Sequence, residues 1–383
     1  MKRVAVVTGT RADYGILSPV LRAIEAEQEL ELLLVVTGMH LSGEFGNTVE
    51  EIEKDGFTIE GRVDMMPDSD KLEAMAESVG KGIIGLAQTW ETLNPDMILV
   101  LGDRVEALAA AISGAYMNIP IAHIHGGVSS RGGLDEYARH AITKFAHIHF
   151  PATEKSAERI IKMGEDEWRI HMVGSPALDV ILNEPLIPRE STIKKFGIDS
   201  SKPLILMVQH PVTTATEQAG QQMVETLEAV AATGYPVILV YPNADAGGRE
   251  MIEILKDYEK RYTSIKALKS LPRREYLSLM KLASVLVGNS SSGMIDAPSF
   301  GLPVINVGSR QEGRERENNV INVRHDRDEI TTAIRRAIGD KEFLDEIKRS
   351  HNPYGDGKAG TRIAEILSGV ENTPRLLRKQ IAY

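Results

Sequence analysis

The chain contains no cysteine, which excludes disulfide frameworks, thiolate metal sites and thiol nucleophiles together. Nor does it hold an apolar run near the roughly 20 residues that cross a bilayer as a helix. Strand-like sequence starts at Lys2-Arg3-Val4 with no apolar leader ahead of it, so a cytoplasmic protein with no membrane partner is expected. Positive charge is short: 44 Lys and Arg against 54 Asp and Glu give a formal net charge of −10. Gripping nucleic acid through counterion release needs a basic surface, so nucleic acid is not an expected partner either. A small anion asks only for a local cluster of Arg, His and backbone N–H groups and stays admissible. The turn after the first strand also lacks GxGxxG spacing, so a dinucleotide fingerprint is not supported.

What is present is an ordinary globular composition, 42% hydrophobic and 26% charged over 383 residues. Single cores stop growing near roughly 250–300 residues, so two core-bearing domains are expected. Short apolar runs at 3–8, 30–37, 57–63, 97–101, 119–125 and 148–151 alternate with helical segments such as 47–55, 71–93, 105–116 and 154–163. The helix after the first run is expected to carry Pro19 in its first turn, where proline is tolerated. Such alternation predicts a parallel sheet covered on both faces. Turn and breaker residues at Gly174-Ser175-Pro176 and between Pro185 and Pro188 read as a linker. After it the alternation restarts, with strands at 204–208, 237–241, 285–288 and 304–307 and helices at 217–233 and 294–300. The expected domains are 1–174 and 175–360, with a C-terminal helix in 361–383 returning to the first.

The stretch from Leu99 to Lys144 concentrates the chemistry. Asp103, Arg104, His123, His125, Asp135, Glu136 and His140 fall on strand tips or first helical turns, where open α/β sheets present their sites. Singly, each has a plain structural explanation: a helix cap at Asp103, an acidic first turn at Asp135 and Glu136, core histidines. The cluster as a whole does not. In the first turn, Arg11 either binds an anion or pairs with Asp13. Ser290, Ser291 and Ser292 directly precede a helix, so their hydroxyls and N–H groups can cradle a phosphate at its positive end, beyond what an N-cap needs. Arg310 and Arg314 follow, and Asp296 stands one turn into that helix, placed for ribose hydroxyls.

Several motifs together resemble the UDP-N-acetylglucosamine 2-epimerase family, and more closely its hydrolysing branch. They are Gly9-Thr10-Arg11-Ala12-Asp13-Tyr14, Gly102-Asp103-Arg104, Arg139-His140-Ala141-Ile142-Thr143-Lys144, Gln209-His210-Pro211-Val212-Thr213-Thr214, Asn243-Ala244-Asp245-Ala246-Gly247, Gly288-Asn289-Ser290-Ser291 and Pro303-Val304-Ile305-Asn306. Each is weak alone; in this order and spacing they are specific. The resemblance implies an α/β fold of two Rossmann-like doubly wound domains facing a central cleft (GT-B type). It also implies a homodimer or homotetramer, a small-molecule nucleotide sugar as partner, and neither metal nor nicotinamide cofactor. The chemistry implied is anti elimination of the nucleotide diphosphate across C1–C2 to a 2-acetamidoglucal, then rehydration with inversion at C2. UDP-GlcNAc, giving N-acetylmannosamine, is the expected substrate.

Carried over by position, Asp103 and Asp135 resemble the catalytic carboxylates, with Glu136 beside them. Arg11, Arg104 and His210 resemble the diphosphate-binding group, with His210 also counted as catalytic. Asn243, Ser290, Ser291 and Asp296 resemble substrate contacts, and Asp13, Ser292, Arg310 and Arg314 join them as expected binding residues. Asp296 is shorter than the Glu expected there. Where the family usually has His-Ile-Glu-Gly-Gly, this chain has His123-Ile124-His125-Gly126-Gly127, and Val128 follows. Relatives with this histidine often act on 2,4-diacetamido-2,4,6-trideoxy sugars, which makes UDP- or GDP-linked forms of those the alternative substrates. Either His125 serves as acid and base, or Asp135 and Glu136 divide that work. A glycosyltransferase on the same scaffold, a non-catalytic nucleotide-sugar sensor, and a metal hydrolase on His123, His125 and Asp103 are the competing readings.

Overall fold

The computed structural model of the chain describes residues 1–66, 69, 71–130 and 133–382. Among these, twelve parallel-paired strands form two sheets. The first contains β1 (Lys2–Thr8), β2 (Leu30–Thr37), β3 (Ile59–Val63), β4 (Met97–Leu101), β5 (Ile121–Ile124) and β6 (Ile148–Phe150), ordered β3-β2-β1-β4-β5-β6. The second contains β7 (Ile205–Val208), β8 (Val237–Val240), β9 (Ile265–Leu268), β10 (Val285–Gly288), β11 (Val304–Val307) and β12 (Val320–Val323), ordered β12-β11-β10-β7-β8-β9. Read from its other edge, the second sheet has the same winding as the first. Strand order reverses between β1 and β4 and again between β7 and β10. Loops leaving a parallel sheet at such a point part to opposite faces and open a crevice at the carboxyl ends of the strands.

The period of two along a strand distributes the cores. Val4 and Val6 of β1 pack with Leu17, Leu21, Ile363 and Leu367 on one face of the first sheet. Ala5 and Val7 pack with Leu86, Trp90 and Ala110 on the other. β4 and β5 are buried at every position, as strands covered on both faces must be. The second sheet has its own core around Ile205, Met207, Leu239, Val287 and Ile305. The α/β class and the doubly wound organisation expected from the alternation are both present. β9 and β12 have no counterpart in the sequence reading, because they are short edge strands with mostly half-exposed residues and no continuous apolar run.

Three expectations are corrected. The first helix spans Arg11–Ala26, so Pro19 lies mid-helix; the capping box of Thr10 and Asp13 starts the helix well before it. Gly174-Ser175-Pro176 is not a linker but the entry to helix Pro176–Asn183, with proline at the first helical position. That helix packs on Arg11–Ala26, and its Asp179 carboxylate accepts from the Ala359 and Gly360 N–H groups at 3.0 and 2.7 Å. The first compact unit therefore runs to Asn183 instead of 174 and resumes at Tyr354 instead of 361. Glu184–Pro353 forms the second unit, joined by described residues of the 130–134 stretch.

Candidate active site

In the first unit β1, β4 and β5 lie side by side, with Val6 opposite Leu99 and Leu101 opposite Ile124. The turns that follow these strands therefore emerge together. Between the turns after β4 and β5 is Arg139, 1% exposed, on helix Leu134–Phe145. Its Nε donates to Asp103 Oδ2 at 3.0 Å, and Nη2 bonds the same oxygen. Nη1 donates to Glu136 Oε2 at 2.7 Å and to the Val128 carbonyl at 2.9 Å. Glu136 Oε1 is met by His140 Nε2 at 3.0 Å and by the Ser129 hydroxyl at 3.2 Å. Spacings of three and four residues place Glu136, Arg139 and His140 on one helix face. Burial by itself would lower the Arg139 pKa; the neighbouring Asp103 and Glu136 carboxylates outweigh it and raise it. Asp103 is not a helix cap: Arg104 occupies that position before helix Val105–Tyr116, without a side-chain capping bond. Asp135 shares the first turn with Glu136 and adds to the field on Arg139.

The two histidines of β5 and its turn part company. His123 is fully buried, with Nε2 2.7 Å from the Gly102 carbonyl and Nδ1 3.3 Å from Thr143 Oγ1. Desolvation pushes its pKa down to about 3, so it is a neutral core residue and its nitrogens are occupied, which removes it from any metal set. His125 leaves the sheet at φ 63°. Its N–H donates to the Phe150 carbonyl at 3.0 Å, and Nε2 lies 2.9 Å from the Ser175 hydroxyl.

The first turn is built by Asp13. Its oxygens accept from Gly9 N–H at 3.0 Å, Thr10 N–H at 2.7 Å and Thr8 Oγ1 at 3.1 Å. The carboxylate thus shapes the loop that carries Arg11. Arg11 pairs with Glu51, not with Asp13. Arg104 forks onto Glu106 at 3.1 and 3.2 Å, and Glu106 is buried directly beneath Gly9, where a Cβ would come within 2.5 Å of its Cγ. Both arginines stay about one-fifth exposed, 19% for Arg11 and 22% for Arg104.

In the second unit, Val208 at the end of β7 pairs with Gly288 at the end of β10. Their backbones approach so closely that a Cβ on Gly288 would run into the Val208 carbonyl. Just beyond, Asn289 accepts from His210 N–H at 2.7 Å and donates to the His210 carbonyl at 2.9 Å. The Asn243 N–H donates to His210 Nδ1 at 3.2 Å. An Nδ1 that accepts leaves the imidazole proton on Nε2, a donor suited to an anionic oxygen. Arg310 and Gln311 reach the Asn289 carbonyl at 3.3 and 2.8 Å. Arg314 closes the same turn through its N–H to the Gln311 carbonyl at 3.2 Å. Asn243 donates to Asp245 at 2.5 Å.

Two readings of the serine run change. The helix that follows is Ser292–Ile295, four residues long, with a 3-10 turn at Ala297–Phe300, so no substantial helix dipole stands behind Ser290 and Ser291. Ser292 is held by Tyr276 at 2.6 Å and Ser290 at 3.0 Å. Asp296 is buried, and its two oxygens accept from Arg273 at 2.8 Å each, so a ribose would have to share a carboxylate already engaged. Arg139, Asn289, Glu106 and Arg273 do the positioning, and none was singled out beforehand. Arg139 and Asn289 stood inside quoted motifs, but a buried arginine is indistinguishable in sequence from a solvated one.

Two doubly wound sheets, each with its polar residues gathered at the switch point, define a GT-B type of fold. The family model described as UDP-N-acetylglucosamine 2-epimerase matches residues 22–368. The "UDP-N,N'-diacetylbacillosamine 2-epimerase (hydrolyzing)" of Legionella pneumophila is 40% identical over 100% of both chains. The "UDP-N-acetylglucosamine 2-epimerase" of Neisseria meningitidis serogroup B is 35% identical over 97% of this chain and 96% of its own. A solved UDP-GlcNAc 2-epimerase of Methanocaldococcus jannaschii, in complex with UDP-GlcNAc and UDP, shares the fold at TM-score 0.79 and 21% identity, covering 96% of this chain and 99% of its own. The chain belongs to the UDP-N-acetylglucosamine 2-epimerase family. No helix among the described residues is long and apolar enough to cross a membrane.

Proposed function

We propose that the chain is a hydrolysing 2-epimerase whose substrate is UDP-N,N'-diacetylbacillosamine. In this reading the weakly acidic C2 proton leaves to a carboxylate of the Asp103, Asp135 and Glu136 group. The C1–O bond breaks with its electron pair on the departing UDP, and a C1=C2 double bond forms. Water then adds its oxygen to C1, giving up one proton to another carboxylate of that group, while a proton reaches C2 on the opposite face. His125 supplies that proton from its ring nitrogen. Arg11 and Arg104 in the first unit provide positive charge for the leaving diphosphate. In the second, the His210 Nε2–H, Ser290, Ser291, Arg310 and Arg314 take the nucleotide's phosphates, Asn243 the sugar, and Asp296 with Arg273 the ribose.

The observation that carries the reading is one buried guanidinium holding Asp103 and Glu136 where β4 and β5 end, with His125 turned out just beyond β5. UDP-GlcNAc is the second reading, favoured by the meningococcal relative at 35% identity. Proton NMR of turnover in D2O with each UDP-sugar tests both. Free UDP with a manno-configured sugar deuterated at C2 is expected from the diacetamido substrate; bound nucleotide without turnover of either would refute the epimerase. We further assign the enzyme to the cytoplasm, as a homodimer or homotetramer. Light scattering checks the assembly, and undiminished turnover in a chelator checks that no metal takes part.

A further inference from the structure

His125 is held in backbone geometry that a residue with a Cβ adopts only when its surroundings insist, φ 63°. Two bonds insist here: the N–H to the Phe150 carbonyl at 3.0 Å, and ring Nε2 with Ser175 Oγ at 2.9 Å. Ser175 is itself immobilised. It is 1% exposed, its N–H donates to the Tyr354 carbonyl at 2.7 Å, and its Oγ accepts from the Ala177 N–H at 3.3 Å. The segments that cross here are as close as backbone allows: a Cβ on Gly174 would lie 3.2 Å from the Tyr354 carbonyl, and one on Gly355 would lie 3.1 Å from Gly174 Cα. Ser175 thus sits where the chain re-enters the first unit at Tyr354, fixed by backbone on one side and aimed at the imidazole on the other.

We propose that Ser175 is a positioning residue for His125, its hydroxyl setting the ring's orientation and following its protonation state. The hydroxyl can donate to a bare Nε2 and, after rotating, accept from a protonated one, so both forms of the ring keep a partner through a proton transfer. The role rests on the epimerase reading for its catalytic meaning, but the Ser175–His125 bond can be tested without it.

In the full chain, Ser175→Ala should lower kcat about tenfold or more, with KM and UDP affinity within about twofold, because a misaimed acid or base costs the chemical step and not binding. Ser175→Cys keeps the side-chain shape with a somewhat larger atom and should behave the same way, since a thiol is a weak hydrogen-bonding partner. In a His125→Ala background, Ser175→Ala should change kcat less than about twofold, because the serine acts only through the ring. Wild-type kcat in both single variants, or an equal loss in the two backgrounds, would overturn the proposal. Nitrogen NMR of the histidine rings supplies a readout independent of turnover. The His125 resonances should move in Ser175→Ala, and unmoved resonances would overturn the positioning role even in an active enzyme. Failure of the wild type to turn over either UDP-sugar, by contrast, would overturn only the epimerase reading.

Discussion

Replacing Arg139 with Met tests the centre of the site. The guanidinium is 1% exposed, while the Asp103 and Glu136 side chains keep 22% and 24% of their surface. Met fills much of the volume and removes the charge, leaving two carboxylates facing each other and the Val128 carbonyl without its donor. Breaking a buried ion pair by deleting one partner costs about 3–5 kcal/mol. Because both carboxylates retain some water, the lower end applies, about 3 kcal/mol. Urea unfolding should show this as a lower midpoint at unchanged slope, and turnover should fall by at least about a hundredfold as the two carboxylates lose their common anchor. Asp103→Asn alone should abolish turnover while leaving nucleotide affinity nearly intact. Combined with Arg139→Met it should recover part of the stability, because the repulsion it relieves exists only once the cation is gone. A wild-type unfolding midpoint for Arg139→Met would refute the argument, and strictly additive losses in the double variant would refute the coupling.

His210→Ala should weaken UDP binding and turnover together, by about tenfold, through loss of the Nε2–H donor; calorimetry checks this, and a change in melting temperature alone would return His210 to the core. Burial holds His40, His147 and His149 at pKa values of about 4 and His123 at about 3. Unfolded histidine titrates near 6.5, so between that value and the folded one the unfolded chain binds more protons. Stability is therefore complete above about pH 6.5 and falls as pH drops toward 4, each histidine contributing on the order of 3 kcal/mol to the loss; urea midpoints that stay level from pH 7 to 4.5 would contradict this. Lys379 donates to the Thr143, Lys144 and Ala146 carbonyls at 3.1, 2.8 and 2.6 Å and pairs with Glu165 at 2.7 Å, tying the C-terminal segment to the end of the helix that carries Arg139. Lys379→Met should cost about 2–4 kcal/mol by stranding those acceptors, and an unchanged melting temperature would show the tie to be dispensable.

Elements whose pattern is local were legible in advance. Helix Val105–Tyr116 and strands β4, β10 and β11 stand where continuous apolar runs and an Ala-rich segment put them, because burial on both faces leaves no polar position to blur the edges. β9 and β12 were not legible, since an edge strand is half solvated and draws its identity from the neighbour it pairs with. Pro19 misled because proline marks a first turn only when no stronger cap precedes it, and the Thr10–Asp13 box does. The serine run promised a helix dipole that four residues do not generate.

The site divides along the same line. Residue order and spacing determined by themselves that Asp103, His125, His210 and the serines lie at strand tips, because a parallel α/β chain must place the residues after each buried run at the carboxyl edge of its sheet. Only the tertiary structure decided what each of them touches. Asp103 and Glu136, separated by 33 positions in the chain, share one buried guanidinium. Arg11 answers to Glu51, and His125 to Ser175, fifty residues further on. Charge pairing and tautomer depend on distances of about 3 Å between segments remote in the chain, and local pattern carries no information about those distances.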